Sequence, residues 1–105
     1  MSSPLVPDDQ LEDVAQRFRV LGEPVRLELL GVLHEEGRLS VGEVVEATGH
    51  QQANVSKHLG RMAEEGLLTR TREGVHVYYA LDDTTLPALC LLVATRLQEE
   101  NDDED

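Results

Sequence analysis

Residues 49–66 read GHQQANVSKHLGRMAEEG, and their spacing decides how the rest of the chain is read. Val55, Leu59, Met62 and Ala63 recur at helical intervals and make one apolar stripe. The opposite face carries Ala53, Asn54, Lys57, Gly60 and Arg61, with Gln52 and Ser56 flanking it towards the N-terminal end. Amides of this kind can pair with base edges, a hydroxyl can meet a phosphate, and two cations suit the DNA backbone. The acids Glu64 and Glu65 come only at the C-terminal end. An ordinary solvated helix face is the bland alternative, but it does not call for this ordering.

Working back from that helix, Ser40-Val41-Gly42-Glu43 has capping-box spacing and opens a short helix that closes at Thr48-Gly49. Ser40 to Gly66 therefore reads as short helix, tight turn, longer helix: a helix-turn-helix whose second helix enters the major groove. Arg38-Leu39 is a short extended link. Before it, Pro24 is placed to start a helix that ends at Gly37, with Val25, Leu29, Leu30 and Leu33 as its stripe and His34 beside it. An earlier helix buries Leu11, Val14, Ala15, Phe18 and Leu21 and stops at Gly22. Asp9 and Glu12 are spaced to cap it.

Beyond Gly66 the hydrophobic period shortens from helical to alternating. Residues 67–72 and 75–81 flank Glu73-Gly74, which reads as a two-residue hairpin turn. Val75, Val77, Tyr79 and Leu81 share one face, and Arg70 and Arg72 lie near the tip. A basic hairpin after a helix-turn-helix is a wing. The last helix runs from Thr84 or Thr85 to about Glu100 and is apolar nearly all round, so two sides must be covered. One side is its own domain, and the other is expected to be a second copy of the chain. Residues 99–105 form an acidic run expected to be disordered.

The composition fits one small domain with few aromatic residues: no Trp, one Phe and two Tyr among 105 residues. The net charge is −12, which at first argues against a nucleic-acid partner. Its distribution reverses that reading. From Gln51 to Tyr79, Lys57, Arg61, Arg70 and Arg72 stand against Glu64, Glu65 and Glu73, so this segment is net +1 and the remainder −13. The single cysteine, Cys90, fits a reducing cytosol. No leader is recognisable, and the longest apolar run, residues 86–94, is far too short for a membrane span. A cytoplasmic location is expected, with no membrane partner.

Three blocks, LGEPVRLELLGVL, GHQQANVSKHLGRMAEEGLL and REGVHVYYAL, together resemble the signatures of the ArsR/SmtB family, and the similarity runs from about Val14 to Leu97. The resemblance implies a mainly α fold with a small β-hairpin (α+β), a winged helix-turn-helix of about five helices and a two-stranded wing. It implies a homodimeric, sequence-specific DNA-binding regulator, a repressor acting at an inverted repeat and open to control by an effector. The DNA contacts carried over, with the helix face read above, are Gln51, Gln52, Ala53, Asn54, Ser56, Lys57, His58 and Arg61, then Arg70, Arg72 and Gly74 of the wing. The dimer interface implied by the first and last helices comprises Leu11, Val14, Phe18, Leu86, Leu89, Cys90, Val93 and Leu97. The expected division is a flexible arm over 1–7, a DNA-binding and dimerisation domain over 8–100, and an acidic tail over 101–105.

Departures from the family pattern concern the helix start and effector sensing. His50-Gln51 precede the recognition helix, and Gln is a poor N-cap. Val75 replaces a frequent wing arginine. Ser40-Val41-Gly42 stand where thiolate-type sensors have Cys-x-Cys, and no His follows His76 to build a zinc site on the last helix. His34, His50, His58 and His76 are the weak candidates for a nickel or zinc effector site, and Cys90 reads most simply as a buried core thiol. The competing class is a winged-helix protein-interaction module that does not bind DNA, favoured by the acidic body. An enzyme is not expected: the sequence has no Walker loop, no HExxH and no dinucleotide fingerprint.

Overall fold

The computed structural model describes residues 4–102. Two helices open the chain, α1 (Leu11–Leu21) and α2 (Pro24–Glu36), with Pro24 in the first turn of α2. The expected capping box at Asp9 and Glu12 does not form. Asp8–Gln10 instead make a 3-10 turn that runs into α1, and Gln10 caps it without a side-chain bond.

The next elements are β1 (Leu39–Ser40), α3 (Val41–Thr48) and α4 (Gln52–Glu64). Here the capping box is complete. Glu43 N–H donates to Ser40 Oγ at 3.2 Å, and Ser40 N–H donates to Glu43 Oε1 at 2.9 Å. Hydrogen bonding from Ser40, its backbone N–H most strongly and its hydroxyl next, holds the Glu43 carboxyl below its usual range. Ser40→Ala should destabilise the fold by about 1 kcal/mol in urea denaturation, as loss of a good N-cap does. Gly49 ends α3 in the left-handed region, φ 77°, which lets the chain reverse sharply into α4.

The expected two-stranded wing forms, and a third short strand extends its sheet. In β2 (Thr69–Glu73) and β3 (His76–Ala80), Glu73 pairs with His76 and Arg70 with Tyr79. On the other edge of β3, Leu39 pairs with Tyr79, so the link expected at Arg38-Leu39 becomes a strand. The register also moves the hairpin turn by one residue, to Gly74-Val75. Gly74 has φ 63° and Val75 does not take a positive φ, the pattern of a II′ turn. Val75 accordingly leaves the apolar face expected for it and is 86% exposed at the tip. Tyr79 is buried, and Val77 and Leu81 pack on the core.

The core joins Leu29, Leu30 and Leu33 of α2, Val44 of α3, Val55, Leu59 and Met62 of α4, and Leu67 and Leu68 just beyond it. Helix α5 (Thr85–Asp102) touches this core with its first turn only, through Leu86. Its start is set by Asp83, whose Oδ1 accepts the Thr85 N–H at 2.9 Å. It runs past Glu100, so residues 99–102 of the acidic run expected to be disordered are helical. The last turns carry i,i+3 and i,i+4 pairs from Arg96 to Glu99 and Glu100, and Gln98 bonds to Asp102. The rest of the acidic run, residues 103–105, and residues 1–3 of the expected arm lie outside the described residues. No helix is long and apolar enough to cross a membrane among the described residues.

Candidate nucleic-acid interface

Helix α4 buries Val55, Leu59 and Met62 completely, which fixes the direction of its other face. Gln52, Ala53, Asn54, Ser56 and Lys57 are all exposed on that face. Gln51 caps the helix with its backbone alone. Its side chain makes no capping bond and is exposed. The turn before it is tied to α2 by His50, whose Nε2 lies 2.7 Å from Glu28 Oε1.

His58, expected among the DNA contacts and at the edge between the DNA face and the core, takes the core side of that edge. Its side chain is only 12% exposed, and its Nδ1 accepts from Arg26 Nε at 3.1 Å, with Glu23 Oε2 at 3.9 Å. The cause is angular: His58 follows Val55 by three residues and so falls at the edge of the buried stripe. Arg61 is half-exposed and shared with the acids of its own helix, Glu64 at 3.9 Å and Glu65 at 3.7 Å. Between α2 and α4 lies a depression of about 370 Å³ lined by Arg26, Ser56, Lys57, Gly60, Arg61 and Glu64. Arg26 was not singled out from the sequence, where it looks like any helix-surface cation. Its Nη1 donates to the Val20 carbonyl at 3.0 Å, so it clasps the end of α1 as well as His58.

On the wing, Arg70 and Arg72 are exposed, and Arg72 Nε donates to the Gly74 carbonyl at 3.3 Å, beside the tip. The tip is held from the far side of the sheet by Arg38. Its guanidinium lies 4.1 Å above the centre of the Tyr78 ring and bonds both oxygens of Glu73, at 2.9 and 2.6 Å. Hydrogen bonding to Arg38 lowers the Glu73 pKa from its ordinary value and raises that of Arg38. With the folded pKa of Glu73 depressed, this brace is intact above the usual carboxylate range and is lost as pH falls through the folded value. Arg38→Ala should speed amide hydrogen exchange in β2 and β3 at neutral pH while barely moving the melting temperature. In the wild type, acid should reproduce that loosening.

A second surface is apolar. Leu11, Phe18, Leu91, Leu92, Val93 and Leu97 are each more than half exposed, and Val14, Leu89 and Cys90 are half-buried. A groove of about 490 Å³ runs between α1, the end of α4 and α5, with Val14, Phe18, Leu21 and Leu89 in its wall. Leu86 is the exception among the expected interface residues. It is 5% exposed because the first turn of α5 closes the chain's own core. Cys90 is likewise half-buried rather than a core thiol.

The four histidines stand apart. His50 is on Glu28, His58 on Arg26, His76 at the wing beside Tyr78, and His34 is exposed on α2. Among the described residues no three His, Cys, Asp or Glu side chains are grouped to share a metal ion.

A buried-stripe helix presented after a tight turn and followed by a braced hairpin defines a winged helix-turn-helix regulator of transcription. The MarR family profile, which describes a winged helix of this kind, matches residues 23–76. The arsenical resistance operon repressor of Escherichia coli K12 is 35% identical over 66 residues, 63% of this chain and 56% of the relative. The crystal structure of the AntR antimony-specific transcriptional repressor superposes with a TM-score of 0.81 at 26% identity, over 97% of this chain and 92% of that one. The homodimeric winged helix-turn-helix DNA-binding domain Mb0332 of Mycobacterium bovis gives a TM-score of 0.74 at 27% identity, over 94% and 92%. Within this class, the chain belongs to the ArsR/SmtB family of transcriptional regulators.

Proposed function

We propose that the protein is a homodimeric repressor that binds an inverted repeat in double-stranded DNA in the cytoplasm. The observation that carries this reading is α4, whose outer face gathers Gln52, Asn54, Ser56 and Lys57 in the open while its inner stripe is fully buried. Gln51, Gln52, Ala53 and Asn54 face base edges in the major groove. Ser56, Lys57 and Arg61 meet phosphates, and Arg70, Arg72 and the Gly74 turn follow the neighbouring backbone. His58 positions the helix from within. The apolar surface of α1 and α5 is covered by a second copy, consistent with the homodimeric relative of like fold. A single unit of helices 1–5 and wing thus carries both DNA contact and dimerisation. A winged-helix interaction module would have no use for uncovered amides and a lysine on α4 together with a basic wing.

In vitro selection from random duplexes, followed by fluorescence anisotropy on the selected sequence, tests this. The two half-sites should be spaced by about one helical turn, ~10–10.5 base pairs, or a multiple. Lys57→Ala and Arg72→Ala should weaken binding to all sequences alike and each lower the salt slope by about one. Gln52→Ala and Asn54→Ala should instead cost about 1–3 kcal/mol on the selected site and relax its consensus. If all four variants behave alike on selected and random DNA, the roles are misassigned.

Soft-metal control through α3 is not carried over from the arsenic- and antimony-type relatives. Ser40, Val41 and Gly42 offer no thiolate there, and Cys90 is the chain's one sulfur nucleophile. An effector, where one acts, is nickel or zinc on imidazoles contributed by both subunits, an oxidant at Cys90, or another protein.

A further inference from the structure

Helix α4 carries a glycine that nothing within the chain requires. Gly60 lies in its interior without a positive φ, and among the described residues a Cβ built on it would meet no atom within 4 Å beyond its chain neighbours and its own helix backbone. Glycine is nonetheless among the least favourable residues for a helix interior. A bare backbone position with open space above it suits the close approach of another molecule.

The surroundings say which chemistry. Gly60 lies in the depression between α2 and α4, where Arg26, Lys57 and Arg61 stand against a single acid, Glu64, and the Ser56 hydroxyl adds a donor. Arg61 is already shared with Glu64 and Glu65. Among the described residues, Lys57 on one wall and Arg26 on the other are the cations of this depression with no carboxylate ion pair. Arg26 is fixed there by its bonds to the Val20 carbonyl and His58 Nδ1. A cation held rigid by two neighbours loses little side-chain entropy when an anion arrives.

We propose that this depression seats one phosphate of the DNA backbone. The phosphate lies against the uncovered Gly60 backbone, between Arg26 and Lys57, and accepts from Ser56. The inference rests on the reading of α4 as the DNA-facing helix. It adds to that reading a cation from a different element and a glycine whose role is to have no side chain. A methyl group at position 60 would occupy the seat and hold the phosphate away from both cations.

The test is Gly60→Ala in the full chain, measured for thermal stability and for anisotropy on the duplex selected by the wild type. The melting temperature should rise by roughly 4 °C, as expected for Gly to Ala in a helix interior of a domain this size. Affinity should fall about tenfold, a change of roughly 1.4 kcal/mol. Arg26→Gln should also lose affinity and lower the salt slope by about one. In duplexes carrying single neutral methylphosphonates, one position should weaken the wild type to the same degree and leave Gly60→Ala no weaker than before. Two results overturn the proposal: Gly60→Ala that binds as tightly as the wild type, or Gly60→Ala that loses both stability and affinity, which would make the glycine structural. In either case wild-type binding to the selected duplex would leave the DNA-binding reading intact. A wild type that selects no duplex would sink that reading and this one with it.

Discussion

Val93→Glu should convert the protein to monomers in sedimentation equilibrium and weaken binding to the selected inverted repeat by at least about a hundredfold. Val93 is more than half exposed in the single chain, beside Leu97 on the same side of α5, so a carboxylate there costs the subunit's own fold little. In the proposed dimer the same carboxylate would be buried without a partner in an apolar contact, and the two-fold axis would bring in a second copy. Burying unpaired charge costs several kcal/mol per ion. The DNA loss follows from valency. Two linked recognition helices bind the second half-site at high effective concentration, an advantage of about 10²–10⁴ that a monomer forfeits. Leu86→Glu is the contrasting variant: Leu86 closes the core of its own subunit, so that protein should unfold rather than dissociate. A Val93→Glu protein that remains dimeric would place the interface off α5.

The difference between Val93 and Leu86 was not legible in the sequence, and the reason is physical. A helix apolar on all sides has no moment to say which side meets its own domain. Only the packed fold shows that the first turn of α5 is consumed by the core and the later turns are left uncovered. The recognition helix is the opposite case. Its stripe of Val55, Leu59 and Met62 has one period and one side, and Ser40 and Gly49 mark the edges of the helix before it, so α3 and α4 could be drawn to within a residue or two.

The wing was half legible. Alternation in 75–81 showed β3, but β1 has two residues and no alternation to display, and its pairing with Tyr79 is a long-range event. The one-residue shift of the turn follows from Gly74, the residue that readily takes the positive φ at the first central position of a II′ turn. At the site itself, the exposed face of α4 was readable from helical angles. The same angles put His58 at the edge between that face and the core, and the packing turns it inward. Arg26 and Arg38 carried no such signal. What each does depends on partners 32 and 35 residues away, His58 and Glu73.

Leu59→Ala should be among the most destabilising alanine substitutions in α4, at about 2–5 kcal/mol. Leu59 is fully buried between Val55 and Met62, and a cavity there removes contacts from the stripe that orients the recognition helix. Domains of this size have roughly 5–15 kcal/mol in all, so the variant gives up a substantial part of its margin and should melt well below the wild type. Its outward face is untouched, and so the folded fraction should still recognise the same sequence. Operator DNA at about a hundred times its dissociation constant should restore about 2.7 kcal/mol by binding only the folded form. Thermal denaturation with and without the selected duplex measures both terms. The expected outcome is a low melting temperature that climbs on adding selected DNA and climbs much less with a random duplex at moderate salt. A variant that melts like the wild type would mean that α4 is held by contacts other than its stripe. One that is folded but indifferent to sequence would mean that Leu59 sets the angle at which Gln52 and Asn54 meet the bases, so that packing behind the helix, and not only its exposed face, determines what it reads.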